Sequence, residues 1–214
     1  MSTYTFENVR PMDIERRSFE IIGEELAEMG ITLDPEKEPI IKRCIHTAAD
    51  FDYAKNLVFS EGAVEKGIKA FTSGCSVITD TMMAYSGINK KAFGKFGGTL
   101  YNFMSDEDVA AKAKELGETR ASVCMDKAAA MGEPLIYVIG NAPTALIRIR
   151  ELYDAGKINP ALVIGVPVGF VNVEFSKELI IDSDMPYIVA RGRKGGSNVA
   201  AAICNALMYM GGGR

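Results

Sequence analysis

The 214-residue chain has a single histidine, His46, and its four cysteines, Cys44, Cys75, Cys124 and Cys204, never fall in a CxxC pair. One imidazole beside scattered thiols cannot complete a zinc set of the usual spacing, and each thiol sits among apolar neighbours, as buried core cysteines do. Basic residues are in deficit: 24 Lys and Arg against 28 Asp and Glu give a net charge of −4 and a pI near 5.2. A general nucleic-acid or acidic-membrane surface needs a basic face, so neither partner is expected. Long apolar runs are missing too. The uncharged stretches Ile158–Val173 and Gly195–Gly213 are broken by glycines, the first also by Pro160 and Pro167, and neither makes a convincing membrane span. The N-terminal MSTYTFENVRPMDIERR lacks the apolar segment of a secretory leader, and unpaired buried thiols fit a reducing cytoplasm. No GxGxxG, Walker loop or serine or cysteine nucleophile motif is present, which leaves nicotinamide chemistry and a catalytic triad unsupported.

What is present alternates. Ile14, Ser18, Ile22, Leu26 and Met29 lie on one stripe of a helix over Asp13–Met29. Asp34-Pro35 has the form of a helix start, and the second helix is expected to run through His46 to about Leu57, with a third after Ser60. On such a helix His46 and Asp50 share a face at i, i+4. Five short apolar runs follow: CSVIT (75–79), GTLYNF (98–103), LIYVIG (135–140), ALVIGV (161–166) and PYIVAR (186–191). Helical patterns separate them, over Asp80–Ser86, Ser105–Leu116 joined to Thr119–Met131, Pro143–Ala155, Glu174–Ile181 and Ser197–Met210. Ser105 to Asp108 resembles a capping box. Strands alternating with helices imply a parallel sheet with right-handed crossovers. The expected fold is α/β: a doubly wound parallel sheet of about five strands with an N-terminal helical extension, in one domain over 1–214.

Open parallel sheets bind ligands beyond the carboxyl ends of their strands. The segments at those ends are Thr79-Asp80-Thr81-Met82, Gly140-Asn141-Ala142-Pro143, Gly165-VPVGFV-Asn172 and Arg191-GRKGG-Ser197. Asp80, Asn141, Arg191, Arg193 and Lys194 are therefore candidate substrate-binding residues. RGRKGGS puts three cations before two glycines and a helix start, an arrangement suited to an anionic small molecule or to a basic turn capping a helix. GVPVGFVN is a close-packed turn or the floor of an apolar pocket. Arg120, at the start of its helix, opposes the helix dipole unless an anion joins it or solvent covers it. His46 is either a structural histidine or a proton-transfer group, since imidazole alone titrates near neutrality, at roughly 6.5.

The stretches RRSFEII (16–22), IHTAADFDYAKNLVFS (45–60), TDTMMAYSGI (79–88), GETRAS (117–122), IGNAPTAL (139–146), GVPVGFVNVEFSK (165–177) and RGRKGGSNVAAAICNAL (191–207) closely resemble the precorrin-8X methylmutase family of cobalamin biosynthesis, nearly end to end and in order. The resemblance implies a flavodoxin-like fold and a homodimer with its active site near the interface. It implies an isomerase that moves a methyl group from C11 to C12 of a corrin precursor, giving hydrogenobyrinate, or cobyrinate when cobalt is already inserted. No organic cofactor and no protein-bound metal are implied. The family's catalytic histidine falls on His46, its substrate-contacting serine on Ser18 and its arginine on Arg120. Some family members have no carboxylate at the place of Asp50, so that residue is not expected to be an essential orienter of the ring. The ADFD wording after His46 looks more like the early-cobalt, anaerobic route. The substrate carries carboxylates around an apolar ring, so Arg120, Arg191, Arg193 and Lys194 suit its rim and the GVPVGFV loop could face the ring. A non-catalytic corrinoid carrier is the alternative, and it would not need His46.

Overall fold

The computed structural model describes residues 7–213. Residues 1–6, part of the stretch expected to carry no leader, and Arg214 lie outside the described residues. In chain order the helices are α1 (Ile14–Glu28), α2 (Glu38–Ala48), α3 (Tyr53–Asn56), α4 (Ala63–Thr72), α5 (Met82–Gly87), α6 (Lys90–Gly94), α7 (Glu107–Leu116), α8 (Arg120–Ala129), α9 (Pro143–Asp154), α10 (Val173–Ile181) and α11 (Ser197–Met210). The strands are β1 (Leu57–Phe59), β2 (Ser76–Thr79), β3 (Leu100–Tyr101), β4 (Leu135–Ile139), β5 (Leu162–Gly165) and β6 (Tyr187–Ala190).

The sheet has the order β1-β6-β5-β4-β2-β3. Strands β2 to β6 are parallel, and each coincides with one of the five apolar runs. Numbered among themselves they run 2-1-3-4-5, the flavodoxin-like order, whose switch point lies between β2 and β4. The sixth strand, β1, is an antiparallel edge that pairs Leu57 with Ala190 and Phe59 with Ile188. Its first residue, Leu57, is where the second helix is expected to end. That helix stops at Ala48 instead, because Ala49 adopts the left-handed conformation at φ 49°. The start differs as well: Asp34 Oδ1 accepts from the Glu36 amide at 3.0 Å in a local turn, and α2 begins only at Glu38. Ser105 does not cap α7. Asp106 is its N-cap, and Asp106 and Asp108 both bind Lys127, each at 2.7 Å. Gly117, at φ 67°, separates α7 from α8.

The strands alternate between two apolar layers, as period-two side chains must. Ile136, Val138, Leu162, Ile164 and Ile188 pack under α1, α2, α4 and α11. Leu135, Tyr137, Ile139, Val163 and Val189 pack under α7 to α10. Burial on both faces explains the nearly unbroken Val/Ile/Leu runs of β4 and β5, which are wholly buried. Cys44, Cys124 and Cys204 are buried free thiols, and Cys75 is half-buried.

Candidate active site

His46 stands in the last turn of α2. Ile40, Ile41, Cys44 and Ile45 bury the opposite stripe of that helix, so amphipathic packing turns the imidazole outward, where it is exposed. Its ring meets Phe19 of α1 edge-on, with centroids 5.6 Å apart. The Arg43 guanidinium also lies over the Phe19 ring, 5.2 Å from its centroid, and Arg43 pairs with Glu15 at 2.7 Å. The contacts Glu15–Arg43 and Phe19–His46 bring the first turns of α1 beside the last turns of α2. Ser18 thus lies next to the histidine's aromatic neighbour. Its hydroxyl donates to the Ile14 carbonyl at 2.9 Å.

The helix break at Ala49 carries Asp50 away from the i, i+4 position, so the shared face expected for His46 and Asp50 does not form. Asp50 accepts from the Asp52 amide at 3.0 Å and pairs with Lys194 at 2.6 Å. Lys194 also reaches Asp52 at 2.6 Å. Those hydrogen bonds hold the Asp50 carboxyl below its usual range and the Lys194 ammonium above its own. No carboxylate pairs with His46 among the described residues.

The Lys194 bridge ties the segment after His46 to the RGRKGGS loop. That loop leaves the carboxyl end of β6 and opens α11. Arg191 is held by Glu178 at 2.9 and 3.1 Å, and Arg193 by Glu174 at 3.4 Å and by the Phe170 ring at 5.4 Å. Of the four expected rim cations, the three in this loop are exposed and each already has a carboxylate partner. Arg120 differs: it is exposed at the first position of α8 and has no acidic partner among the described residues. Thr119, which caps α8, joins Thr144 of α9 at 2.7 Å and so sets Arg120 beside the Gly140–Pro143 loop. Arg120 and His46 share one end of the sheet but belong to opposite helical layers.

Asp80 and Asn141 occupy the switch point. Asp80 is 1% exposed. Its two oxygens accept from the amides of Gly140, Asn141 and Ala142 at 2.9, 2.8 and 2.7 Å. Burial pushes this carboxyl above the usual range, and the three amides pull the other way. At the switch point the buried Asp80 carboxylate is thus occupied in bracing the Gly140–Ala142 loop. The direct substrate contact expected of Asp80 has no open face to occur on. Asn141 is exposed, with its side chain toward the edge's solvent. Close backbone approach completes the arrangement: a Cβ at Gly140 would lie 2.6 Å from Ser197 Cα, and one at Gly195 would collide with the Val166 carbonyl. Thr81 and Ser197 join their hydroxyls at 2.7 Å.

Above this edge the side chains are apolar. The GVPVGFV loop is no closed floor: it projects Phe170 and Val171, 81% and 79% exposed, with Val168, Phe175, Met82 and Met83 also uncovered. An open cleft of about 640 Å³ borders the site through Phe19; Asp13, Glu15 and Glu20 line it together with Arg16 and Lys42, and Arg16 pairs with Asp13 and Glu20. Sequence reasoning missed two elements of this frame. Phe19, the partner of the His46 ring, meets it only through the packing of α1 on α2, which sequence spacing does not show. Lys177, which lies buried beneath the RGRKGGS loop, gives no local signal.

A flavodoxin-like sheet with one exposed histidine and an apolar, cation-edged rim at its carboxyl end places the chain among the doubly wound α/β proteins. Comparison with known proteins places it further. Residues 13–210 match the family model for precorrin-8X methylmutase. The chain is 45% identical to the cobalt-precorrin-8 methylmutase of Salmonella typhimurium, over 94% of this chain and 95% of that one. It is 44% identical to that of Priestia megaterium, over 94% and 89%, and 39% identical to the precorrin-8X methylmutase of Pseudomonas aeruginosa, over 91% and 93%. The solved precorrin-8X methylmutase of Thermus thermophilus superposes with a TM-score of 0.86 at 37% identity, over 94% and 96% of the two chains. The chain belongs to the precorrin-8X methylmutase family and is an enzyme that moves a methyl group within one molecule.

Proposed function

We propose that the enzyme moves the methyl group on C11 of cobalt-precorrin-8 to C12, giving cobyrinate, with His46 donating the proton that drives a sigmatropic rearrangement. The observation that carries this reading is His46 itself: the only histidine, exposed, at the end of the sheet where the loops gather. A shift of this kind within a conjugated ring needs no nucleophile, hydride or activated water. It needs the ring electrons biased by protonation of a ring nitrogen, and one positioned imidazolium supplies that. Phe19 limits the tilt of the imidazole. Ser18 and Arg120 contact the substrate, Arg120 through a carboxylate it can grip bidentately. Asn141 faces the same rim. Arg191, Arg193 and Lys194 receive peripheral carboxylates by exchanging with their present acidic partners, and Asp80 positions the Gly140–Pro143 loop. Val168, Phe170 and Val171 offer the ring an apolar surface.

The reaction uses no organic cofactor, and cobalt enters within the substrate. The cobalt form is preferred because the two relatives at 44% and 45% identity both carry cobalt-precorrin-8 in their names. A homodimer in the cytoplasm completes the reading. His46 and Arg120 lie on opposite layers of one chain, and a second copy at this edge can complete what one chain leaves open. Cobalt-precorrin-8 carrying a 13C-labelled methyl on C11 tests the assignment: the label's resonance moves to the C12 position on incubation with the enzyme. A bound substrate whose label stays on C11 indicates a carrier instead.

A further inference from the structure

Lys177 is 0% exposed, on the buried side of α10 with Val173, Ser176 and Ile180. Removing an ammonium from water costs several kcal/mol unless its protons find acceptors. Here they find the loop. Lys177 Nζ donates to the carbonyl of Gly192 at 2.6 Å and to that of Lys194 at 2.8 Å. The carbonyl between them, of Arg193, accepts from the Gly169 amide at 3.2 Å. Three consecutive carbonyls are thus held by the protein, while the amides of Arg193, Lys194 and Gly195 have no backbone acceptor among the described residues. The outer side of α10 supplies Glu174 and Glu178, three residues before and one after Lys177, to Arg193 and Arg191.

Resting on the methylmutase reading, we propose that Lys177 is a positioning residue: by fixing the carbonyls of Gly192 and Lys194 it presents the cations and free amides of the 191–195 loop to the carboxylates of the substrate. It does not touch the reacting atoms. The chain of contacts says which kinetic constant should respond. The loop meets the rim of the ligand, whereas His46 is fixed by the buried residues of α2 and by Phe19. Losing Lys177 therefore weakens binding and leaves the proton transfer.

The test compares wild type with Lys177→Met, which keeps the straight apolar stem and removes the donors. Steady-state rates are measured with cobalt-precorrin-8, and amide hydrogen exchange is followed in the free proteins. The variant is expected to raise KM by roughly tenfold, about 1.4 kcal/mol of binding, with kcat within about threefold. Exchange at Gly169 and Gly196, whose amides brace the loop against Arg193 and Val166, should quicken while that of Ile136–Val138 stays slow. A folded variant with KM within about twofold of wild type and unchanged exchange overturns the proposal. If the variant does not fold, wild-type exchange decides: Gly169 and Gly196 must be as protected as neighbouring core amides, and free exchange there rejects a held loop. Failure of wild type to convert the substrate would refute the methylmutase reading, while the exchange data still test whether Lys177 holds the loop.

Discussion

At the scale of the residue, two carboxylates that look alike in sequence have opposite fates. Asp50 is a half-buried acid whose partner Lys194 has a second acid, Asp52, at the same distance of 2.6 Å. Such pairs contribute little, about 0–1 kcal/mol. Asp50→Asn should therefore retain most of the activity and melt close to wild type in a thermal scan; a loss comparable with that of His46→Ala would make Asp50 part of the proton relay. Asp80 is buried with both oxygens accepting. Asp80→Ala strands three amides, and urea unfolding should show a loss on the order of 3 kcal/mol. An unchanged midpoint would mean that the Gly140–Ala142 amides find other acceptors. His46 was legible as soon as it was counted, because it is unique. The fate of Asp80 was not, because nothing local tells a strand-end aspartate that meets a ligand from one that meets a distant loop 60 residues on.

At the scale of the element, the five parallel strands were readable because strands buried on both faces leave continuous apolar runs. The sixth was not. β1 is three residues long, follows directly on α3, and is a strand only because β6 offers it an edge. The end of α2 was misplaced for a related reason: the helical pattern persists past His46, and the break comes from one alanine in a left-handed conformation. The buried face of α10 gives a pH prediction. Burial pushes the Lys177 ammonium down from 10.5 to about 8. Between those values the unfolded chain holds a proton that the folded chain has released, so the contribution of Lys177 to stability rises with pH across that window and is flat below it. Tyr53 and Tyr137, each pushed up to about 12 by burial, act in the opposite sense above pH 10. The difference between wild type and Lys177→Met isolates the lysine. Unfolding free energies measured from pH 7 to 10 should diverge in favour of wild type as pH rises, and parallel curves would contradict a depressed Lys177.

At the scale of the whole molecule, the fold braces its own switch point and leaves its apolar edge open. Phe170, Val171, Phe175, Met82 and Met83 are uncovered in one chain. Exposed apolar patches of this kind mark binding surfaces. Sedimentation equilibrium should give twice the 23.2 kDa chain mass, with the ligand seated where two copies meet. A monomer that turns over at full rate would place the whole site on one edge. The resemblance along the sequence already pointed to the family. What it could not show is how the frame is held, since the Lys177–loop and Asp80–loop contacts join segments that only the sheet order brings together.

In the proposed mechanism one imidazole, that of His46, supplies the one proton the methyl shift needs. Absorbance time courses with cobalt-precorrin-8 test it most directly, because moving the methyl changes the conjugation of the ring. Wild type should convert the spectrum to that of cobyrinate, and His46→Ala, equally folded and still binding the ring, should slow conversion by at least about a hundredfold. Conversion by His46→Ala at the wild-type rate would return His46 to a structural role and require another donor.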